Sequence, residues 1–144
     1  MIVTRPMRGS VFFDTNVVVY AFGTTDPRAV RAKKLLAAGG VISVQVLNEF
    51  TNVARRRLGL AWPEVHRALR AIRLVCGPVM ALTVDMHEAA VALTERDGVP
   101  IYDAMIIAAA AAAGCGTLYS EDMQDGRVFP GGVTIRNPFG NTLT

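Results

Sequence analysis

Short apolar runs alternate with helical stretches along almost the whole chain, and this alternation limits the possible folds more than any other feature of the sequence. Val11-Phe12-Phe13 reads as a strand that meets Asp14, after which Asn16 to Phe22 has helical character and Gly23 stops it. Asp26-Pro27 opens a second helix, running to about Ala38 and closed by Gly39-Gly40. Val41-Ile42 is a second strand. Ser43 is placed as N-cap of a helix whose apolar positions Val46, Leu47, Phe50, Val53 and Ala54 recur at helical spacing as far as Arg57. A further helix runs from about Trp62 to Val75, with Pro63 near its first position. Met80 to Val84 is apolar and β-branched, and Asp85 with Glu88 reads as a capping box for a helix to Asp97, stopped by Gly98 and Pro100. The last helix spans Ile101 to Ala113, and two strands follow at about Thr117 to Tyr119 and Val133 to Ile135. Strands joined through helices pair in parallel by right-handed crossovers, so the expected fold is α/β: a three-layer α/β/α sandwich with a mostly parallel sheet. In such folds ligands bind beyond the carboxyl ends of the strands.

That rule singles out particular acids. Asp14 directly follows the first strand and Asp122 lies just after the Thr117 to Tyr119 strand, so both stand at the carboxyl edge. Asp103 falls in the first turn of its helix, and a crossover helix runs antiparallel to its strands, which brings that turn to the same edge. Glu49 lies six residues beyond Ser43, about 9 Å along a helix axis. It borders the stripe made by Val46, Phe50 and Val53, a position aimed at the sheet, where an unpartnered carboxylate is costly. Each acid also has an ordinary role open to it: Asp14 as a cap before Thr15-Asn16, Asp103 as a complement to a helix dipole, Asp122 in a solvated turn beside Glu121 and Asp125. The coincidence of all four favours a site. Carboxylates held together repel one another unless a cation sits among them, and no Lys or Arg neighbours these motifs closely in sequence. Oxygen ligands without paired His or Cys point to a hard ion, Mg2+ or Mn2+. His66 and His87 are isolated within helices and read as surface or capping residues.

Composition supports a globular domain more than a disordered tail or a membrane segment. The 144 residues suit one domain, 51% are hydrophobic and 19% charged, and no apolar run reaches the roughly 18 to 20 residues needed to cross a bilayer. Met1 to Ser10 lacks the apolar stretch of a signal peptide, so the expected location is cytoplasmic. Cys76 and Cys115, far apart, read as reduced structural thiols. The net charge is +3. With four of the twelve acids in one site, eight remain to face fifteen basic residues, leaving a surface suited to a polyanion. Arg55-Arg56-Arg57, with Arg28, Arg31, Lys33 and Lys34, are candidate phosphate contacts, although basic residues in the last turn of a helix also complement its dipole.

From about residue 11 to 136 the chain resembles the PIN-domain ribonucleases, and among them the small VapC-type toxins of prokaryotic toxin-antitoxin pairs. The carrying motifs are Phe13-Asp14-Thr15-Asn16-Val17, Asn48-Glu49-Phe50, Ile101-Tyr102-Asp103-Ala104 with Ile107-Ala108, and Ser120-Glu121-Asp122. The resemblance makes Asp14, Glu49, Asp103 and Asp122 the catalytic and metal-binding acids, with Thr15, Asn16 and Ser120 supporting them. Glu121 and Asp125 are rivals for the role of the fourth acid. It implies a single PIN-like domain over 1–144 that hydrolyses RNA with Mg2+ or Mn2+, leaving 5′-phosphate and 3′-hydroxyl ends. It also implies a small antitoxin partner and a homodimer. The competing class is a non-catalytic α/β module that binds RNA or a protein. A haloacid-type phosphatase would want a second Asp where Asn16 stands, and a phosphoacceptor built on Asp85 would want a Lys downstream that the chain lacks.

Overall fold

Residues 10–23 and 25–140 are described by the computed structural model. The start of the chain, read above as lacking a signal peptide, lies outside the described residues apart from Ser10. The elements follow in the order β1 (Val11–Phe13), α1 (Thr15–Gly23), α2 (Arg28–Ala37), β2 (Ile42–Ser43), α3 (Val44–Arg56), α4 (Trp62–Val75), β3 (Val79–Met80), α5 (Val84–Asp97), α6 (Ile101–Ala112), β4 (Thr117–Tyr119), β5 (Val128–Phe129) and β6 (Val133–Arg136).

The strands form one four-stranded sheet in the order β1-β4-β6-β5 and a two-stranded parallel pair, β2-β3. Val41 joins the two: its N–H donates to Val11 and its carbonyl accepts from Phe13, at 2.9 and 3.0 Å. All pairings are parallel except β5 with β6. From β1 the chain steps outward through β2 to β3, then returns to the other side of β1 as β4. Right-handed crossovers therefore place α1 to α4 on one face of the sheet and α5 and α6 on the other, which is the expected three-layer α/β arrangement. The same reversal makes the gap between β1 and β4 the switch point, where an open parallel sheet leaves a crevice at its carboxyl edge.

The core is what the apolar runs prescribe. Phe12 and Phe13 of β1, Leu118 of β4 and Ile135 of β6 are fully buried between the helical layers. Helix α6 is apolar on nearly every side, with Ala104 and Ile106 to Ala110 all buried, as a helix inserted between other elements must be. Its small side chains let neighbouring backbones come close. Both cysteines are buried and free, and burial pushes each thiol up to about 11, so they stay protonated as expected. No helix among the described residues is long and apolar enough to cross a membrane.

Several local expectations are corrected. The capping box on Asp85 and Glu88 does not form: Thr83 is the N-cap of α5, its hydroxyl accepting from the Met86 N–H at 3.1 Å, and Asp85 is left in the first turn. Of the apolar segment Met80 to Val84 only Met80 is in a strand, β3, which begins at Val79. Ser43 does hold the N-cap position of α3, but its hydroxyl makes no capping bond and is buried with no partner among the described residues. Strand β5 was not foreseen. It is two residues long and antiparallel, and it is turned back onto β6 by Gly131 and Gly132, both at positive φ.

One close approach makes a test. A Cβ on Gly40 would come 2.3 Å from the ring of the fully buried Phe13, which has no room to move. Gly40→Ala is expected to cost about 1–3 kcal/mol by overpacking, read as a lowered midpoint in urea unfolding. An unchanged midpoint would show that the ring can shift.

Candidate active site

Among the described residues, the buried polar side chains Asp14, Thr15 and Ser120 collect at the switch point. Asp14 ends β1 and is 5% exposed, and its N–H continues the sheet by donating to the Tyr119 carbonyl at 3.0 Å. Its carboxylate accepts from the Thr15 N–H at 2.7 Å, from the buried Ser120 hydroxyl at 2.8 Å and from the Asn16 carboxamide at 3.3 Å. Ser120 follows β4, and its oxygen in turn accepts from the N–H groups of Asp122 and Met123. One hydroxyl thus ties the turn that carries Asp122 to Asp14.

Asn16 makes a second tie. Its amide nitrogen donates to Asp14 and, at 3.2 Å, to Asp122, while its oxygen accepts from the Glu121 N–H at 3.2 Å. Glu49, half-buried on α3, faces the same place because the Thr15 hydroxyl donates to one of its oxygens and Gln45 donates to the other at 3.3 Å. The Gln45 amide also donates to the Tyr102 carbonyl at 2.8 Å, clamping the first turn of α6, and with it Asp103, against α3.

Asp14, Glu49, Asp103 and Asp122 all line one cleft of about 800 Å³. They are not in mutual contact. Among the described residues no three acidic, His or Cys side chains stand close enough to enclose an ion as they are placed. Their charges are nevertheless felt. Burial, helped by the nearby charges of Asp103 and Glu49, raises the Asp14 carboxyl to about 7 against the opposing bonds from Ser120 and Thr15. Burial and the Asp122 charge raise Asp103 as well. No ion pair formed by the described residues involves any of the four acids.

The rival acids have other occupations. Glu121 accepts from the Tyr20 hydroxyl and from Arg28, each at 2.7 Å, and Asp125 accepts from the Asn137 N–H at 2.8 Å. Asp122 is exposed to the cleft and bound through its side chain by Asn16. Of the arginine triplet only Arg57 lines the cleft; Arg55 donates to the Leu60 carbonyl and lies over the Trp62 ring, bracing the connection to α4. Arg28 is committed to Asp26 and Glu121, whereas Arg31, Lys33 and Lys34 are exposed on α2. The residues that the sequence reading passed over are Gln45, Tyr20 and the commitment of Arg28 to Glu121. Gln45 stands one helical turn before Glu49 on the same face and was findable. The Arg28–Glu121 pair spans 93 residues and leaves no local trace.

Comparisons with known proteins cover the elements that carry this cleft. The PIN domain family matches residues 11–125, from β1 through the Asp122 turn. The chain belongs to the PIN-domain family. Solved PIN-fold structures agree with that membership. Mycobacterium tuberculosis VapC20, a sarcin-ricin loop cleaving toxin, is 29% identical with a TM-score of 0.66, over 78% of this chain and 90% of that one. A toxin-antitoxin complex from Klebsiella pneumoniae gives a TM-score of 0.69 at 23% identity, covering 90% and 98%. VapBC2 from Rickettsia felis, bound to promoter DNA, gives 0.65 at 19%, covering 88% and 97%. Among the curated proteins none matches the chain.

The raised Asp14 carboxyl has a thermodynamic consequence. Its folded value, about 7, lies above the ordinary 3.8, so the folded PIN domain holds this proton more tightly than the unfolded chain. The stabilisation from the protonated form is complete below 3.8 and is lost as pH rises through about 7. In EDTA the wild type is therefore expected to lose thermal stability between about pH 5 and pH 8. Asp14→Asn should flatten that decline and melt several degrees higher at the upper pH. Matching slopes in parallel thermal scans would contradict the assignment.

Proposed function

We propose that this PIN-domain protein is a Mg2+- or Mn2+-dependent endoribonuclease, acting as the toxin of a type II toxin-antitoxin pair. The observation that carries the reading is the set of four carboxylates, Asp14, Glu49, Asp103 and Asp122, around one cleft with no ion pair to any of them among the described residues. Such a set is unfavourable by itself: burial first, and the neighbouring acids second, raise the Asp14 and Asp103 carboxyls, and a divalent cation would relieve it. The donors are all oxygen, which suits a hard ion. The similarity to a toxin that cleaves the sarcin-ricin loop supports RNA as the substrate, and the toxin-antitoxin complexes among the solved relatives support a small protein partner.

Asp14, Asp103 and Asp122 would hold the ion, with Glu49 completing the shell or orienting water. When bound, such an ion lowers the pKa of a water and neutralises charge on the pentacovalent phosphorus of the transition state. The chain's own residues do the rest. Ser120 and Asn16 fix the separation of Asp14 and Asp122, so the carboxylates need not search for a common geometry. Thr15 and Gln45 hold the Glu49 carboxylate toward the cleft, where it can accept a proton from water attacking in line with the departing 3′-oxygen. Attack on the 5′-phosphate leaves 5′-phosphate and 3′-hydroxyl ends. Arg57, lining the cleft beyond Glu49, supplies a phosphate contact. The antitoxin would block the cleft by offering a cation to the acids, and the active species would be a homodimer.

Two measurements check this. Purified protein should cleave RNA with Mn2+ or Mg2+ and stop in EDTA, and Asp103→Asn should lower the rate by at least about a hundredfold while keeping its fold by circular dichroism. An inert wild type across RNA classes with metal supplied would leave the binding-only alternative. Arg57→Ala should weaken RNA binding several-fold and reduce its salt dependence by about one phosphate contact, while Arg55→Ala should not change the slope. Equal slopes for Arg57→Ala and wild type would remove Arg57 from the interface.

A further inference from the structure

Besides the acids, the wall of the cleft carries side chains of a different chemistry. Asn48 and Asn52 stand one helical turn apart on α3, both exposed and lining the cleft, and neither carboxamide is engaged by any described residue. Tyr102, in the first turn of α6, lines the cleft with 68% of its surface exposed, although its backbone is held by Gln45. Leu82, 38% exposed at the end of the loop after β3, lines the cleft too. An aromatic ring left this exposed directly beside Asp103, on a backbone that is firmly clamped, is a preformed platform. Two unsatisfied amides each offer both a donor and an acceptor, the equipment for reading the edge of a base.

We propose that this wall is a nucleobase subsite. Tyr102 stacks an unpaired base next to the scissile phosphate, Leu82 covers the platform's apolar margin, and Asn48 and Asn52 hydrogen-bond base edges. The subsite rests on the endoribonuclease reading of the same cleft and adds to it the residues that select the cut position. The chemistry explains why a cleft floored by acids can hold a polyanion with so few cations in it: Arg57 is the only basic side chain lining it among the described residues. Affinity then comes from stacking and base-edge bonds, which a base paired in a duplex cannot offer. A flexible carboxamide pair reads bases without adding charge next to the metal-binding acids.

The probe is a single-stranded RNA of mixed sequence, in which one abasic nucleotide is walked along the positions flanking each mapped cut. Tyr102→Ala is expected to lower kcat/KM about tenfold, mainly through KM, and Tyr102→Phe to restore most of it. An abasic nucleotide at one fixed position from the cut should cost the wild type a similar factor and cost Tyr102→Ala almost nothing. Asn48→Ala with Asn52→Ala should broaden the set of cut sites without lowering the total rate as far. Additive losses for Tyr102→Ala and every abasic position, or an unchanged KM, would overturn the subsite. Fluorescence anisotropy with the same RNAs in EDTA reads the coupling in Kd without hydrolysis. Coupling in Kd without cleavage would sink the nuclease reading and keep the subsite; cleavage without coupling would do the reverse.

Discussion

Burying Asp14 is the constraint on which the arrangement turns. A carboxylate 5% exposed, with the charges of Asp103 and Glu49 acting on it, is a cost that the fold carries permanently. Three hydrogen bonds, from Thr15, Ser120 and Asn16, make it tolerable and also fix it in space. Those bonds reach α1 and the turn after β4, so stabilising one acid positions the elements that bring the others. The stability loss and the functional geometry have the same origin, as is usual for sites that store unfavourable electrostatics for a ligand.

The sheet order explains why the acids meet there and nowhere else. At the switch point the helix that leaves β1, α1, and the helix that enters β4, α6, lie on opposite faces, so a crevice opens between the carboxyl ends of the two strands. β1 and β4 are those strands, and the register Phe13 to Tyr119 sets Asp14 beside Ser120. Had the pairing slipped by one residue, the side chains of one strand would face the wrong layer and Ser120 could not reach Asp14. The apolar packing of Phe12, Phe13 and Leu118 that locks this register is therefore as much a part of the site as the acids. The Arg28–Glu121–Tyr20 cluster adds a peripheral tie. It engages both oxygens of Glu121, a fifth carboxylate that lines the same cleft.

The elements and the four acids were legible in the chain because both are written in short-range signals. Strand β1, the helix that carries Glu49 and the helix that begins before Asp103 follow from apolar periodicity and from glycine or proline stops, each acting within a few residues. Alternation of strand and helix forces parallel pairing, and parallel pairing forces a shared carboxyl edge, so the meeting of Asp14, Asp103 and Asp122 at one end of the sheet followed without knowledge of contacts. Where two local signals competed, the earlier one won: Thr83 starts the helix two residues before Asp85 by accepting from the Met86 N–H, which leaves Asp85 inside the first turn. β5 escaped notice because two residues carry no periodicity.

The sequence by itself thus determined the class of fold and the edge of the sheet to which the four acids are brought. Tertiary structure alone decided which late acid stays free, since Glu121, Asp122 and Asp125 are indistinguishable by type and spacing and differ only in who donates to them: Arg28 and Tyr20, Asn16, or the Asn137 backbone. It likewise decided that Arg57 faces the cleft while Arg55 braces a loop. The physical reason is range. Caps, stops and periodicity act over a turn or a strand, whereas side-chain partnership between residues 93 or 106 positions apart exists only once the core has packed and set the distance.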